Sequence, residues 1–392
     1  MSKLKLLFSL YILTTISLFI YSFTQVDLSL TLSKVSIYQT LEKGLQQIGF
    51  FQRPLSASIF SVIVLLLFLF YFSLLYFSKK DRLKIKNIKL LVFLTFIILV
   101  FSYNAFSYDL FNYIFDAKIV TAYHQNPYIH SALDFSGDPM LSFMRWTHRL
   151  YPYGPSWLVL TVPLSFVGLN YFLFTFFIFK TMIGLSFLGS CFLIYKISEI
   201  IFPKNKIFNT VFWSFNPLVI TEGLVSAHND FPMIFFGLLS FYLYLQKRKI
   251  SSFLSLLFSA GVKYSTAVLL PIWIVIYYFD RKQKAINWEK VFLLSVVFAF
   301  VTVLVASIRT TFQPWYLMFV FSMASFVSRK YYILIPSVVF SVFCSLIYIV
   351  YVYTTDYAKG YPQTVFNIEI LGIFVAVALT LLYWAKLKLN RD

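Results

Sequence analysis

The run Leu55–Phe77, LSASIFSVIVLLLFLFYFSLLYF, holds no charged residue and is followed almost at once by Lys79, Lys80, Arg82, Lys84, Lys86 and Lys89. At about 1.5 Å per residue it is long enough to cross a hydrocarbon core about 30 Å thick as a helix. Backbone groups in lipid must satisfy one another, which leaves a helix as the conformation for such a segment. The basic block just beyond marks that end as cytoplasmic. The pairing recurs along the chain. Apolar runs fall near 4–24, 55–77, 90–107, 171–195, 207–226, 229–246, 250–263, 264–279, 291–308, 314–327, 331–353 and 365–385. The expected fold class is therefore all-α: a polytopic transmembrane helical protein of about 12 spans, some short or re-entrant.

Composition agrees. Of 392 residues, 60% are hydrophobic and 12% charged, against about 25% charged in a soluble domain. A net charge of +18 would suggest nucleic acid in a soluble chain. Here the basic residues sit in short loops between apolar runs, so they read as topology signals and nucleic acid is not an expected partner. Cys191 and Cys344 both lie in apolar runs, which gives neither a disulfide framework nor metal-ligand spacing. The first run, Leu4–Phe23, lacks an A-x-A-like exit and reads as a retained helix.

Setting the N-terminus in the cytoplasm and alternating sides collects most basic residues on one face. Lys79–Lys89 is joined there by Lys196, Lys204 and Lys206, by Lys247–Lys249, by Arg281–Lys290, by Arg329 and Lys330, and by Lys386–Arg391. Both termini then fall on the cytoplasmic side. Most acids, among them Asp109, Asp116, Glu222, Asp230 and Glu369, fall at or near the opposite face, which is the expected working surface. Ile250–Lys263 covers only about 21 Å at the helical rise, so with 264–279 it makes two tilted short helices or a re-entrant pair. Ser156–Val167 reads as a dipping helix.

Three constellations could carry chemistry. Asp109, Asn112, Tyr113 and Asp116 stand at i, i+3, i+4 and i+7, one face of a helix at the membrane surface, with the neighbouring aromatics expected in lipid. The plain alternative is a solvated interfacial loop. Glu222 and His228-Asn229-Asp230 form the second, downstream of Pro217, which should break the helix. A lone His is usually structural; an H-N-D run between apolar spans is less easily so explained. The third is cationic: Lys263, Arg309 and Arg149, apt for a lipid phosphate, with snorkelling to headgroups as the alternative. Lys180 lies mid-span, where a charge costs at least about 2.5–3.5 kcal/mol, and is expected to pair with an acid such as Glu222. No nucleotide-binding glycine motif and no zinc signature is present.

From about Asn104 to Trp315 the chain resembles the GT-C membrane glycosyltransferases, in their bacterial polyprenol-phosphate mannosyltransferase-like branch. The resemblance rests on ordered blocks: Tyr108-Asp109-x-x-x-Tyr113-x-x-Asp116 with Asn126-Pro127-Tyr128; Tyr151-Pro152-Tyr153-Gly154-Pro155-x-Trp157; Asn216-Pro217-Leu218 with Glu222 and His228-Asn229-Asp230; Gly261-Val262-Lys263-Tyr264; and Gln313-Pro314-Trp315-Tyr316. It departs from the family pattern at Asn112 and at Ala117-Lys118, where arginines are common.

The resemblance implies a hexosyltransferase of the bacterial cytoplasmic (inner) membrane. It implies a polyprenyl-phosphate sugar donor, with mannose the first choice, and a glycolipid, polysaccharide or protein acceptor in the cell envelope. On this reading 1–392 is one transmembrane domain, with 104–154 an outer catalytic loop carrying an interfacial helix, 155–320 a GT-C-like core and 321–392 C-terminal spans. Asp109 and Asp116 are the catalytic candidates, Asp109 as general base. Tyr113, Asn126, Tyr153, Glu222, His228, Asn229, Asp230 and Trp315 are candidates for binding substrate, and Lys263, Arg309 and Arg149 for the phosphate. No cofactor is certain, and a divalent cation is possible. A transporter or flippase of a lipid-linked sugar is the alternative, although polarity gathered at one face fits it less well.

Overall fold

A computed structural model describes residues 3–390, and among them there is no strand. The helices are α1 Lys3–Ser22, α2 Ser36–Gln46, α3 Arg53–Lys79, α4 Ile85–Val100, α5 Asp109–Thr121, α6 Pro155–Val167, α7 Phe172–Ile201, α8 Lys206–Ser214, α9 Pro217–Ile220, α10 Asp230–Leu245, α11 Lys249–Val262, α12 Leu270–Arg281, α13 Trp288–Arg309, α14 Leu317–Ala324, α15 Tyr331–Thr354 and α16 Tyr361–Leu389. Six of them (α1, extended to Gln25, with α3, α7, α13, α15 and α16) are long and apolar enough to cross a membrane. The other expected spans are shorter apolar helices or broken ones, so the structure divides the twelve runs into long crossings and short pieces.

α7 lies at the centre, packed by α4, α5, α6, α8 and α10. α3 joins α1 and α8 to α15, and α15 carries α16 on its far side. Hydroxyls inside the bundle bond back to the preceding turn, as Thr15 does to Tyr11 and Ser190 to Ser186. That satisfies them without a partner from another helix.

The expected break at Pro217 is present, and its orphaned groups are accounted for. α8 ends at Ser214, and Asn216 caps the restart by accepting from the Leu218 amide at 3.0 Å. The Asn216 amide bonds to the Trp213 carbonyl, which frees the Phe212 carbonyl; the Tyr71 hydroxyl donates to it at 2.8 Å. A π-turn, Thr221–Val225, follows α9, with the Ser226 amide reaching Thr221. Such an inserted residue re-aims the side chains after it and is frequent at functional sites.

Lys180 corrects an expectation. It does not pair with Glu222. Its ammonium donates to the Ser102 carbonyl and hydroxyl at 2.6 and 2.8 Å and to the Val225 carbonyl at 3.1 Å. Carbonyls left open at the end of α4 and after the π-turn are thus tied together by one buried lysine. The 250–279 segment runs as α11, a 3-10 turn at Tyr264–Leu269 and α12, with the basic loops at 247–249 and 281–284 at its two ends.

Candidate active site

α5 begins where expected and presents Asp109, Asn112, Tyr113 and Asp116 on one face. Its aromatic residues do not face lipid. Phe111 and Phe115 are fully buried, Phe111 against Phe143, Phe172 and Phe176. The loop between α5 and α6 folds over the helix and covers them, so α5 is a buried floor and not a surface raft. Lys118 and Tyr123 hold that loop through Asp138. Burial alone would raise the Asp138 carboxyl, but Lys118, Tyr123 and the Met140 amide bring it below the usual range.

A glycine pair sets α6 against α11. A Cβ on Gly154 would fall 2.3 Å from the Gly261 carbonyl oxygen, and one on Gly261 would fall 2.2 Å from Ser156 Oγ. Only glycines allow this approach, and it carries Tyr153 on one side and Lys263 on the other into the same region. Tyr153 packs edge-on against Tyr113 at 5.3 Å, and Tyr113 stands edge-on to Trp157 at 5.2 Å. Trp157 is fully buried, so it braces Tyr113 from behind and is not placed to stack on a ligand.

His228-Asn229-Asp230 meets α5 across this floor. Ala227, just before it, has a φ of +60°, a conformation uncommon outside glycine and often found where structure serves a site. The Tyr113 hydroxyl donates to Asn229 Oδ1 and accepts from its amide, both at 3.4 Å. His228 Nδ1 faces Asp109 Oδ2 at 3.4 Å, and its Nε2 faces Glu222 Oε2 at 3.3 Å. These are ion-pair distances, off the angles of good hydrogen bonds. Trp315 stacks on the imidazole at 4.2 Å and 18°. Asp230 takes both oxygens to Lys263 Nζ, at 3.0 and 2.8 Å, while the Tyr316 ring lies 5.4 Å from that ammonium.

Asp116 keeps some water-reachable surface although it lies deep in the protein. Burial, reinforced by the charge of Asp109, pushes its carboxyl up to about 8. Burial would lower the His228 imidazole, but Asp109 and Glu222 raise it to about 9. Several buried polar atoms here lack a protein partner: Asn112 Oδ1, Ser226 Oγ, Asn229 Nδ2 and Trp157 Nε1. Buried polar groups are nearly always satisfied, so their concentration in one region is informative.

Asp109, Asp116, Tyr113, Tyr153, Glu222, His228, Asn229, Asp230, Lys263 and Trp315 are thus brought together. Three other candidates are placed apart from them. Asn126 is exposed, and its side chain accepts from the Tyr128 amide to close a turn. Arg149 is exposed and lies over the Trp146 ring at 4.1 Å. Arg309 is exposed at the end of α13, with no hydrogen bond or ion pair among the described residues. Tyr348 of α15, which sequence reading passed over, donates to Glu222 Oε1. One tyrosine among the many in apolar runs gave no signal of its own.

Among the described residues no group of three or more His, Cys, Asp or Glu side chains is arranged to hold a metal ion. Asp109, Glu222 and Asp230 are instead engaged by His228 and Lys263, a donor set that does not fit a divalent cation.

No curated protein and no solved structure matches the chain. Residues 26–279, well over half of it, match the family described as alpha-(1->6)-mannopyranosyltransferase, N-terminal domain. That span carries every grouped residue except Trp315 and Tyr348. With six helices long enough to cross a membrane and a polar centre built from the family region, the chain belongs to the alpha-(1->6)-mannopyranosyltransferase family and is a membrane glycosyltransferase.

Proposed function

We propose that the protein transfers a mannosyl group from a polyprenyl-phosphate donor to an envelope acceptor, with inversion, at the outer face of the bacterial cytoplasmic membrane. The observation that carries this reading is the convergence of Asp109 with Asp230–Lys263 across Tyr113 and Asn229. An acid able to take a proton and a cation able to meet a phosphate share one region.

In this mechanism Asp109 accepts the proton of the acceptor hydroxyl as its oxygen attacks the anomeric carbon. The bond from that carbon to the phosphate oxygen breaks, and the electron pair leaves with the lipid phosphate. Lys263, at the end of α11, meets the charge that builds there. Asn229, Asn112 and Ser226, with polar atoms free of protein partners, suit sugar hydroxyls, as does Asp116. Arg309 and Arg149, exposed and not tied to an acid, suit a headgroup arriving from the surface.

Helix lengths support a recessed site. α10 and α11 have 16 and 14 residues, about 24 and 21 Å at the helical rise, against a core of about 30 Å. If their basic ends lie at the cytoplasmic surface, Asp230 and Lys263 stand several ångströms below the opposite one. An apolar groove between α13, α15 and α16 reaches Phe312 and Leu317, the neighbours of the Trp315 segment, and suits an isoprenoid chain.

The test is transfer of radiolabelled mannose from polyprenyl-phosphate mannose by the full chain in detergent. Asp109→Asn should abolish transfer while leaving insertion and thermal stability close to wild type. Transfer at near wild-type rate would remove Asp109 as the base. A flippase needs two compartments, so any transfer in detergent separates the two classes.

A further inference from the structure

We propose that His228 is a cationic positioning residue for Asp109, and that α15 completes it through Tyr348. This rests on the reading of Asp109 as the base that takes the acceptor proton.

Both ring nitrogens of His228 face carboxylate oxygens, Asp109 Oδ2 at 3.4 Å and Glu222 Oε2 at 3.3 Å. A neutral imidazole has one N–H and one lone pair, so it could serve only one of the two acids and would set its lone pair against the other. A doubly protonated ring serves both. The surroundings fix the ring in that orientation: Trp315 lies flat on it at 4.2 Å, and Ala227 at positive φ aims it. Tyr348 donates to Glu222 Oε1, which leaves Oε2 for the imidazole. Glu222 and His228 are fully buried, whereas the Asp109 side chain keeps 19% of its surface. Of the two acids, Asp109 is the one that a substrate can reach. His228 and Glu222 are in this view occupied with each other and not with the sugar.

The electrostatics follow from the neighbours. Asp109 has Asp116 on its own helix, Glu222 beyond His228, and the tyrosines Tyr113 and Tyr153 beside it. Asp230 and Lys263 offset each other, and Lys180 is taken up by backbone carbonyls. His228 is therefore the cation that faces Asp109. Without it, the carboxylates gathered here would face one another uncompensated, which disfavours the charged form that accepts a proton. During transfer the proton passes from the acceptor oxygen to Asp109, the anomeric C–O bond breaks toward the phosphate, and His228 keeps both of its protons.

The test is the pH dependence of kcat for mannosyl transfer from polyprenyl-phosphate mannose, using the full chain in detergent. Wild type is compared with His228→Gln, Tyr348→Phe and Asp109→Asn. His228→Gln should lose most activity near neutrality, with its acid limb displaced upward by about one pH unit or more and activity partly regained at high pH. Tyr348→Phe, which keeps the imidazole, should displace the limb in the same direction by less. An equal loss at every pH in His228→Gln, with Tyr348→Phe unshifted, would overturn the inference while an inactive Asp109→Asn left the base in place. An active Asp109→Asn would overturn both.

Discussion

The Asp230–Lys263 pair gives the sharpest test, because its two members are unequally buried. Asp230 keeps 3% of its side-chain surface and Lys263 19%. Removing one partner of a buried pair typically costs about 3–5 kcal/mol, because the other charge is stranded. In Lys263→Met the stranded group is the enclosed Asp230, so the loss should approach about 3 kcal/mol. In Asp230→Asn the stranded group is a lysine with a flexible stem, partial access to water and the Tyr316 ring 5.4 Å away. Its charge can move outward, and the loss should be nearer 1 kcal/mol. The double variant should recover most of the stability while remaining inactive, since neither the cation for the phosphate nor the acid is restored. The assay is a double-mutant cycle by thermal unfolding in detergent, read beside mannosyl transfer in the same preparations. Additive losses would show that the pair is not coupled. Transfer returning with stability in the double variant would make Lys263 a structural residue and refute its role at the phosphate.

Two further outcomes follow from the geometry. Burial and the charge of Asp109 place the Asp116 carboxyl at about 8, above its unfolded range, so its contribution to stability is full below about pH 4 and is lost as pH rises through 8. Asp116→Asn should flatten stability between about pH 4 and 8 in melting curves, and should also weaken any alkaline limb of transfer near pH 8. Lys180→Met should strand the Ser102 and Val225 carbonyls, at about 1–3 kcal/mol each. A lower melting temperature with the pH profile of transfer unchanged would mark Lys180 as structural.

How far the residues could be read differs by feature. A span depends on local composition: Leu55–Phe77 is decisive by itself, and the long helix over Arg53–Lys79 needs no tertiary partner to be expected. The i, i+3, i+4, i+7 face of Asp109–Asp116 was legible because helical periodicity is local. The burial of Phe111 and Phe115 was not, because an aromatic suits lipid and protein equally well and only the covering loop decides between them. The partner of Lys180 was not legible either, because sequence does not show which backbone carbonyls stand open beside a buried lysine.

By itself the sequence determined that the chain is a helical membrane protein, which end of each helix is basic, and which polar residues are too costly in lipid to be incidental. Tertiary structure alone decided who meets whom. It set Gly154 against Gly261, Tyr348 behind Glu222, and His228 between two acids from different elements. The reason is physical: hydrophobic burial is non-directional and readable residue by residue, whereas an ion pair or a close backbone approach depends on distances across the fold that no local pattern encodes.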